Sequence, residues 1–166
     1  MFAINLYAQS LSSTENPKYN SSLNPKYNSS INPKYNSSIN PKYNSSINPK
    51  YNSSINPKYS SSINPKYASI LNPRYNSSLN PKNSGWTGYY RYNTDAELVG
   101  VVIVANRENF SYFNGSLEWA GYFSTNGEGG YNWFTVEGVW IGYLVHNGTK
   151  GFNLFDLEGE WIGFLA

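Results

Sequence analysis

The chain of 166 residues contains no cysteine, one histidine and one methionine. The absence of cysteine excludes a disulfide scaffold and a cysteine-based zinc site, and a single histidine excludes a multi-histidine metal cluster. No apolar run approaches the roughly 18 residues that a membrane-spanning helix requires. The segment Met1–Ser10 lacks the basic start of a signal peptide. The composition leaves the compartment open and predicts no cofactor.

Groups that could perform catalysis are also scarce. His146 is the one histidine, and it stands beside an Asn-Gly pair that favours an exposed turn. Without cysteine and with one histidine, the sequence offers no convincing set of a nucleophile, a base and an orienting group. Acids such as Glu158 and Glu160 flank a predicted turn, where carboxylates are common. We therefore expect no enzymatic activity and no catalytic, cofactor-binding or metal-binding residues.

Proline occurs only within an eight-residue repeat. Nine prolines follow one another at this spacing from Pro17 to Pro81, in the unit Asn-Pro-Lys-Tyr-Asn-Ser-Ser-Ile. Asn-Pro favours a turn with lysine at its exposed tip, and the next five residues favour a short strand. A fixed period predicts stacked repeats. We expect residues 16–84 to form an octapeptide β-solenoid, with tyrosine packed inside or along it.

Two features of this segment stay open on sequence alone. A coil could contain two octads or three. Disorder is the alternative to a solenoid, because asparagine, proline, serine and lysine are typical of unfolded segments, and an octad needs stacked neighbours to fold. Residues 1–15 begin with alternating apolar and polar side chains, which predicts an N-terminal strand that caps the solenoid or pairs with a second molecule.

A second repeat, of 21 residues, occupies residues 85–166. Each of its four copies predicts a β-hairpin, with two-residue turns at pairs such as Glu137-Gly138. The expected fold class is therefore all-β, with eight antiparallel strands after the solenoid. Whether the hairpins close into a barrel or form an open sheet is left undecided. The glycines that define the repeat are Gly100, Gly121, Gly142 and Gly163.

The hairpins also predict which residues face each other. Pairing outward from the turn at Glu137-Gly138 places Phe134 opposite Ile141. The same register covers the repeat glycines with larger side chains, as in sheets where an aromatic residue shields a strand glycine. Both faces of the sheet are apolar, so something should cover each of them. The other predicted pairs are Thr135 with Trp140, Tyr131 with Leu144, Trp133 with Gly142, and Arg91, Tyr112 and Leu154 with the remaining glycines.

The last hairpin resembles MORN repeats. It carries, in their order, the aromatic Phe155, an acid-glycine turn at Glu158-Gly159 and an aromatic-x-glycine unit ending at Gly163. The resemblance covers about the last 80 residues. The period is shorter than that of the family, and the closing tryptophan-rich half is missing. The resemblance implies a sheet of hairpin repeats with a scaffolding or membrane-proximal role.

Charge is divided unevenly along the chain. Residues 16–83 carry nine basic residues and no acid, whereas residues 84–166 carry three basic and nine acidic residues. Because the two halves of the chain carry charges of opposite sign, they predict head-to-tail contacts between molecules that build an open filament or surface layer. We expect a non-catalytic structural protein that self-assembles, with a solvated lysine edge as the alternative. The predicted contact residues are Lys18, Lys26, Lys34, Lys42, Lys50, Lys58, Lys66, Arg74, Glu137, Glu158 and Glu160.

Two binding functions are further alternatives. The hairpins repeat an indole beside a polar group, which suits a lectin-like carbohydrate module, although tryptophan in a core explains the same pattern. The lysine and tyrosine of the octads suit a polyanion, with an acidic polysaccharide expected before nucleic acid. Self-assembly or glycan binding would favour a cell-surface or extracellular location. The predicted ligand-binding residues are Trp119, Trp140, Trp161, Asn114, Thr135 and Asp156.

Overall fold

The computed structural model describes residues 11–166, and these form an all-β protein built around a closed barrel. The eight strands are antiparallel and follow one another in chain order, and the first pairs with the last. The predicted eight antiparallel strands are confirmed, and they close into a barrel. The strands are β1 (Tyr89–Tyr92), β2 (Leu98–Val104), β3 (Asn109–Asn114), β4 (Trp119–Thr125), β5 (Tyr131–Phe134), β6 (Trp140–His146), β7 (Phe152–Asp156) and β8 (Trp161–Leu165).

The repeat glycines line the inside of the barrel. The predicted partners lie across them: Arg91 at Gly100, Tyr112 at Gly121, Trp133 at Gly142 and Leu154 at Gly163. A Cβ atom at Gly142 would lie 3.2 Å from the Trp133 ring and 2.5 Å from the Phe155 carbonyl oxygen, so a larger residue would not fit. The rest of the interior is filled by Val102, Phe110, Phe123, Leu144, Phe152 and Leu165.

The hairpin turns have three residues and not the predicted two. Thr135 donates its N–H to the carbonyl of Val139 at 2.8 Å, and Gly138 donates to the carbonyl of Thr135 at 2.9 Å. Gly138 takes the left-handed conformation, with φ of 88°. This is the three-residue loop in which a bulge follows the turn.

The three-residue turn and a second bulge within the strands explain why two predicted pairings are wrong. The register shifts between Trp133 and Phe134, so Phe134 faces Trp140 and not Ile141. Trp140 therefore does not face Thr135 as predicted, and Thr135 bonds to Val139 instead. The pairs on the other side of the bulge, including Tyr131 with Leu144, are confirmed.

The octapeptide tract contains no strand, so the predicted β-solenoid is wrong. Each octad consists of a turn at Asn-Pro-Lys-Tyr and a one-turn 3₁₀ helix. In one octad, the Oδ1 of Asn44 accepts hydrogen bonds from the N–H of Ser46 at 3.1 Å and from its hydroxyl at 2.6 Å. Such local bonds compete with extended structure. The helices are Ser21–Leu23, Ser29–Ile31, Ser37–Ile39, Ser45–Ile47, Ser53–Ile55, Ser61–Ile63, Ser69–Leu71 and Ser77–Leu79.

Asparagine amides join successive octads. The Nδ2 of Asn44 donates to the carbonyl of Ser38 at 2.6 Å, and the Nδ2 of Asn48 donates to the carbonyl of Pro41 at 2.6 Å. Equivalent bonds recur along the tract. The octads are therefore stacked through side-chain amides, where a β-solenoid would use backbone ladders.

Residues 16–80, here called the collar, run round the outside of the barrel. Three asparagine side chains of the barrel donate hydrogen bonds to backbone carbonyls at or beside the collar. The pairs, in the order of the collar residues, are Asn153 with Glu15, Asn132 with Ile39, and Asn109 with Ile55. After the collar, the hydroxyl of Tyr90 in β1 donates to the carbonyl of Pro81 at 3.0 Å. The collar thus passes the strands in reverse order, from β7 to β1.

A second apolar layer lies between the collar and the barrel. Ile39, Ile47, Ile55 and Ile63 are 2–5% exposed. At two positions on the outer face, Ile31 packs against the cluster of Tyr143, Val145 and Phe155, and Leu79 packs against that of Val101, Ile103 and Phe113. Both faces of the sheet are covered, as their apolar composition led us to expect.

The predicted N-terminal strand over residues 1–15 falls largely outside the described residues. Within them, the N–H groups of Glu15 and Asn16 both donate to the carbonyl of Ser12 at 3.0 Å, which makes a turn. Hydrogen bonds from Ser12 and then from Thr149 lower the pKa of the Glu15 carboxyl. This carboxylate therefore ties the start of the collar to the loop between β6 and β7.

Candidate functional site

The collar presents a row of tyrosines to solvent. Eight of them, from Tyr19 to Tyr75, are 64–76% exposed, so the prediction that they pack inside or along a solenoid is wrong. The residue before each tyrosine is an exposed lysine or Arg74. Four lysines lie over the ring of the tyrosine that follows, including Lys34, whose Nζ is 5.4 Å from the Tyr35 centroid. The outer surface of the collar is thus both aromatic and cationic.

Some collar cations are paired within the same chain. The Nζ of Lys26 lies 2.6 Å from Glu160, and this hydrogen bond raises the pKa of Lys26. Arg74 lies 3.7 Å from Glu118 and donates to the carbonyl of Ser116 at 3.1 Å. Among the described residues, the other predicted contact residues make no ion pair. The basic and acidic halves of the chain therefore form ion pairs with each other within one molecule.

The three predicted tryptophans lie in clefts between the collar and the hairpin turns. The Trp161 cleft has about 200 Å³, the Trp140 cleft about 220 Å³ and the Trp119 cleft about 370 Å³. In each cleft, the half-buried indole meets two lysines from neighbouring octads. The same octads add two asparagines in the Trp119 cleft and one in each of the other two. The lysine pairs are Lys18 with Lys26, Lys34 with Lys42, and Lys58 with Lys66.

The three clefts differ in charge. Glu160 lines the Trp161 cleft, where Lys18 also lies 5.5 Å above the Trp161 ring. Glu137 lines the Trp119 cleft. No carboxylate lines the Trp140 cleft, whose wall includes the exposed side chains of Tyr43 and Leu157. Of the three clefts, only this one is lined by two lysines and no carboxylate.

The polar residues predicted to act beside the indoles are used in the hairpin turns. The Oδ1 of Asn114 accepts from the N–H groups of Ser116 and Glu118, at 2.9 and 3.0 Å. Asp156 makes the same two bonds in its own turn, at 3.0 and 2.8 Å. Thr135 Oγ1 accepts from Val139 at 3.2 Å. None of the three lines a tryptophan cleft.

His146 lies at the end of the barrel opposite the hairpin turns. Its Nδ1 accepts from the N–H of Gly148 at 3.1 Å, and its ring packs edge-on against Phe152. A cleft of about 420 Å³ beside it is lined by Ile31, Ile39 and Glu128. Glu128 is already engaged, because its carboxylate accepts hydrogen bonds from Asn36 and Ser38. The arrangement joins the collar to the barrel.

Inside the barrel, Arg91 is held between two aromatic rings. Its guanidinium carbon lies 4.6 Å from the Tyr112 centroid and 4.7 Å from the Trp133 centroid. Its Nε is buried without a hydrogen-bond partner among the described residues. Stacking of this kind stabilises a cation in an apolar setting. The Arg91 side chain can therefore occupy the space opposite Gly100 inside the barrel.

No protein-family model, curated protein or solved structure matches this chain. Across residues 11–166, no cluster of histidine and carboxylate side chains is arranged to hold a metal ion. The same part of the chain has no helix that is long and apolar enough to cross a membrane.

The convergence of lysine pairs and tryptophans is the part of the site that the sequence did not predict. The two groups come from different repeats and meet only because the collar follows the barrel. One signal was visible in the 21-residue alignment: Val139 stands where Glu97, Glu118 and Glu160 stand in the other copies.

Proposed function

We propose that this protein is a non-catalytic binding protein for a linear acidic polysaccharide, which lies along the outer surface of the collar. One observation carries the proposal: eight tyrosines, each 64–76% exposed, stand beside cations in a regular row. Large exposed aromatic patches usually mark interaction sites. Tyrosine offers a flat apolar face to a ring, and lysine offers a charge to its anionic substituent.

Charge density favours a polysaccharide over a nucleic acid. Glu118 and Glu160 contact collar cations, and Glu137 lies in a cleft with two of them. A nucleic acid carries a phosphate at every nucleotide and would bring that charge close to these carboxylates. A polymer with fewer anionic groups would be repelled less, while its uncharged rings could still lie on the tyrosines.

Binding to partly methyl-esterified polygalacturonate, called polygalacturonate below, tests the proposal, with dextran as the neutral control. In this polymer only some of the rings carry a charge. The native protein should bind the acidic polymer, and salt should weaken binding by screening exposed charges. Lys50→Gln with Lys58→Gln should lower the affinity about tenfold, since two exposed charge contacts contribute roughly 0.5–1 kcal/mol each. Tyr51→Ser with Tyr59→Ser should also weaken binding, because both rings are exposed and removing them leaves the core intact.

Arg107→Gln with Lys150→Gln is the matched control, because it removes the same charge from exposed positions outside the collar. This double variant should bind as the native protein does. Equal loss in both lysine and control variants would mean that net charge, and not the collar, attracts the polymer. No binding of polygalacturonate by the native protein at low salt would overturn the proposal.

Self-association is the second candidate, and the same tyrosine row favours it because tyrosine is enriched in protein interfaces. Glu137 and Glu158 make no ion pair among the described residues, so they remain for the collar of a second molecule. Lysine, in contrast, is depleted in interfaces. Sedimentation of the native protein without polymer separates the two candidates: particles that grow with concentration and shorten in about 0.5 M salt would favour head-to-tail assembly.

A further inference from the structure

One hairpin copy departs from the others at the residue before the position held by Leu98 in the first copy and by tryptophan in the other three. Three copies have glutamate there, namely Glu97, Glu118 and Glu160, whereas the copy of Trp140 has Val139. Where the collar passes Glu118 and Glu160, each carboxylate pairs with a collar cation. Val139 cannot do so, and its side chain is 58% exposed.

The cleft of this copy contains two collar cations and no carboxylate. Lys34 and Lys42 both line the Trp140 cleft, and neither has a carboxylate partner within residues 11–166. The two charges come from neighbouring octads and face the same indole. Holding them together with no acid nearby costs electrostatic free energy, which an anion in the cleft would offset.

The remaining walls of the cleft are apolar. The indole of Trp140 forms one side, and Tyr43 and Leu157, which are 75% and 38% exposed, continue the surface. The amide of Asn40 is already used, since it donates to Pro33 and accepts from Lys42. The cleft therefore offers an aromatic platform and two cations. Its volume of about 220 Å³ is below the roughly 300–1,000 Å³ typical of drug-sized ligands, which suits a single ring.

We propose that the Trp140 cleft is a subsite for one uronic-acid ring of the bound polysaccharide, an inference that rests on the proposed function. The apolar face of the sugar ring lies on Trp140, and its carboxylate lies between the ammonium groups of Lys34 and Lys42. The Trp161 and Trp119 clefts bind this ring less well, because Glu160 and Glu137 place a like charge beside it.

The test follows the indole N–H signals of the five tryptophans by nuclear magnetic resonance, with Trp140 identified through Trp140→Phe. D-galacturonate is titrated against galactose, which lacks the charge, and acetate, which lacks the ring. The Trp140 signal should shift and saturate with galacturonate alone, with a Kd on the order of 1 mM. The Trp161 signal should change less.

Val139→Glu restores the residue of the other copies and should weaken galacturonate binding about tenfold, because a carboxylate beside the lysines repels the ligand. Thr94→Glu adds the same charge at an exposed position of the first hairpin and should leave binding unchanged. Lys42→Gln, at an exposed position, should weaken binding independently of any effect of the glutamate on the turn.

Three results would overturn the subsite: no shift of the Trp140 signal, equal shifts with all three small molecules, or full binding by Val139→Glu. If polygalacturonate still binds the collar in these cases, the proposed function survives without the subsite. If polygalacturonate does not bind either, both inferences fail.

Discussion

At the scale of single residues, Tyr122 and Tyr143 hold hydroxyl groups in an unfavourable place. Both side chains are 1–3% exposed, and neither hydroxyl has a hydrogen-bond partner among the described residues. Burial raises the pKa of both phenols. Because the folded pKa is raised, ionisation of these phenols does not affect stability below the ordinary tyrosine pKa of about 10, and it lowers stability as the pH rises from there toward the folded pKa.

We therefore expect Tyr122→Phe and Tyr143→Phe to stabilise the protein. Removing an unpaired buried hydroxyl should add about 1 kcal/mol at neutral pH, and it should reduce the loss of stability above about pH 10. Urea unfolding at neutral and alkaline pH measures both effects. Tyr90→Phe is the control: its hydroxyl donates to Pro81 at 3.0 Å, so this variant should lose about 1 kcal/mol. Destabilisation of all three variants would show that the two hydroxyls are satisfied in solution.

At the scale of elements, the barrel was more predictable than the collar. Glycine alternating with large residues identified the strands and the inward pairs, such as Trp133 with Gly142, because only one register covers the glycines. The turns were less predictable, because the left-handed position is held by Gly138 in one copy and by Leu117, with φ of 59°, in another. The collar was assigned as strand because asparagine caps and extended residues are hard to distinguish within eight residues.

The caps of the collar helices give a direct prediction. Most helices are preceded by an asparagine whose side chain caps them, but two are preceded by Ser60 and Ala68, which make no side-chain cap bond. The backbone at Ala68, with φ of −92° and ψ of 85°, is close to that at Asn44, with −115° and 102°. Ala68→Asn should therefore raise the free energy of unfolding by about 1 kcal/mol, as measured by urea unfolding.

Asn44→Ala is the reverse of that change, and it should lower the free energy of unfolding by at least about 1 kcal/mol. It removes the cap and also the bond from Nδ2 to Ser38. If Ala68→Asn has no effect while Asn44→Ala is costly, the bond between octads, and not the cap, stabilises the collar.

At the scale of the whole molecule, the path of the collar decides the site. The sequence predicted lysines, tyrosines and tryptophans as separate candidates, and it predicted that both faces of the sheet need a cover. It did not predict that the octads provide this cover, because the outward faces of a barrel are known only once its register and closure are known. The Trp140 cleft exists because the third and fourth octads pass that hairpin.

The shared apolar layer implies that the collar and the barrel unfold together. Ile55 is 2% exposed and its carbonyl accepts from Asn109 in β3 at 2.9 Å. Ile55→Ala should lower stability by about 2–5 kcal/mol, and hydrogen exchange in urea should show octads and strands losing protection in one transition. Ile70→Ala is the matched control, because Ile70 is 69% exposed and its truncation should change stability by less than about 0.5 kcal/mol. Octads that lose protection well before the strands would mean that the barrel holds its fold without the collar, and the clefts between them would then open at lower urea than the barrel unfolds.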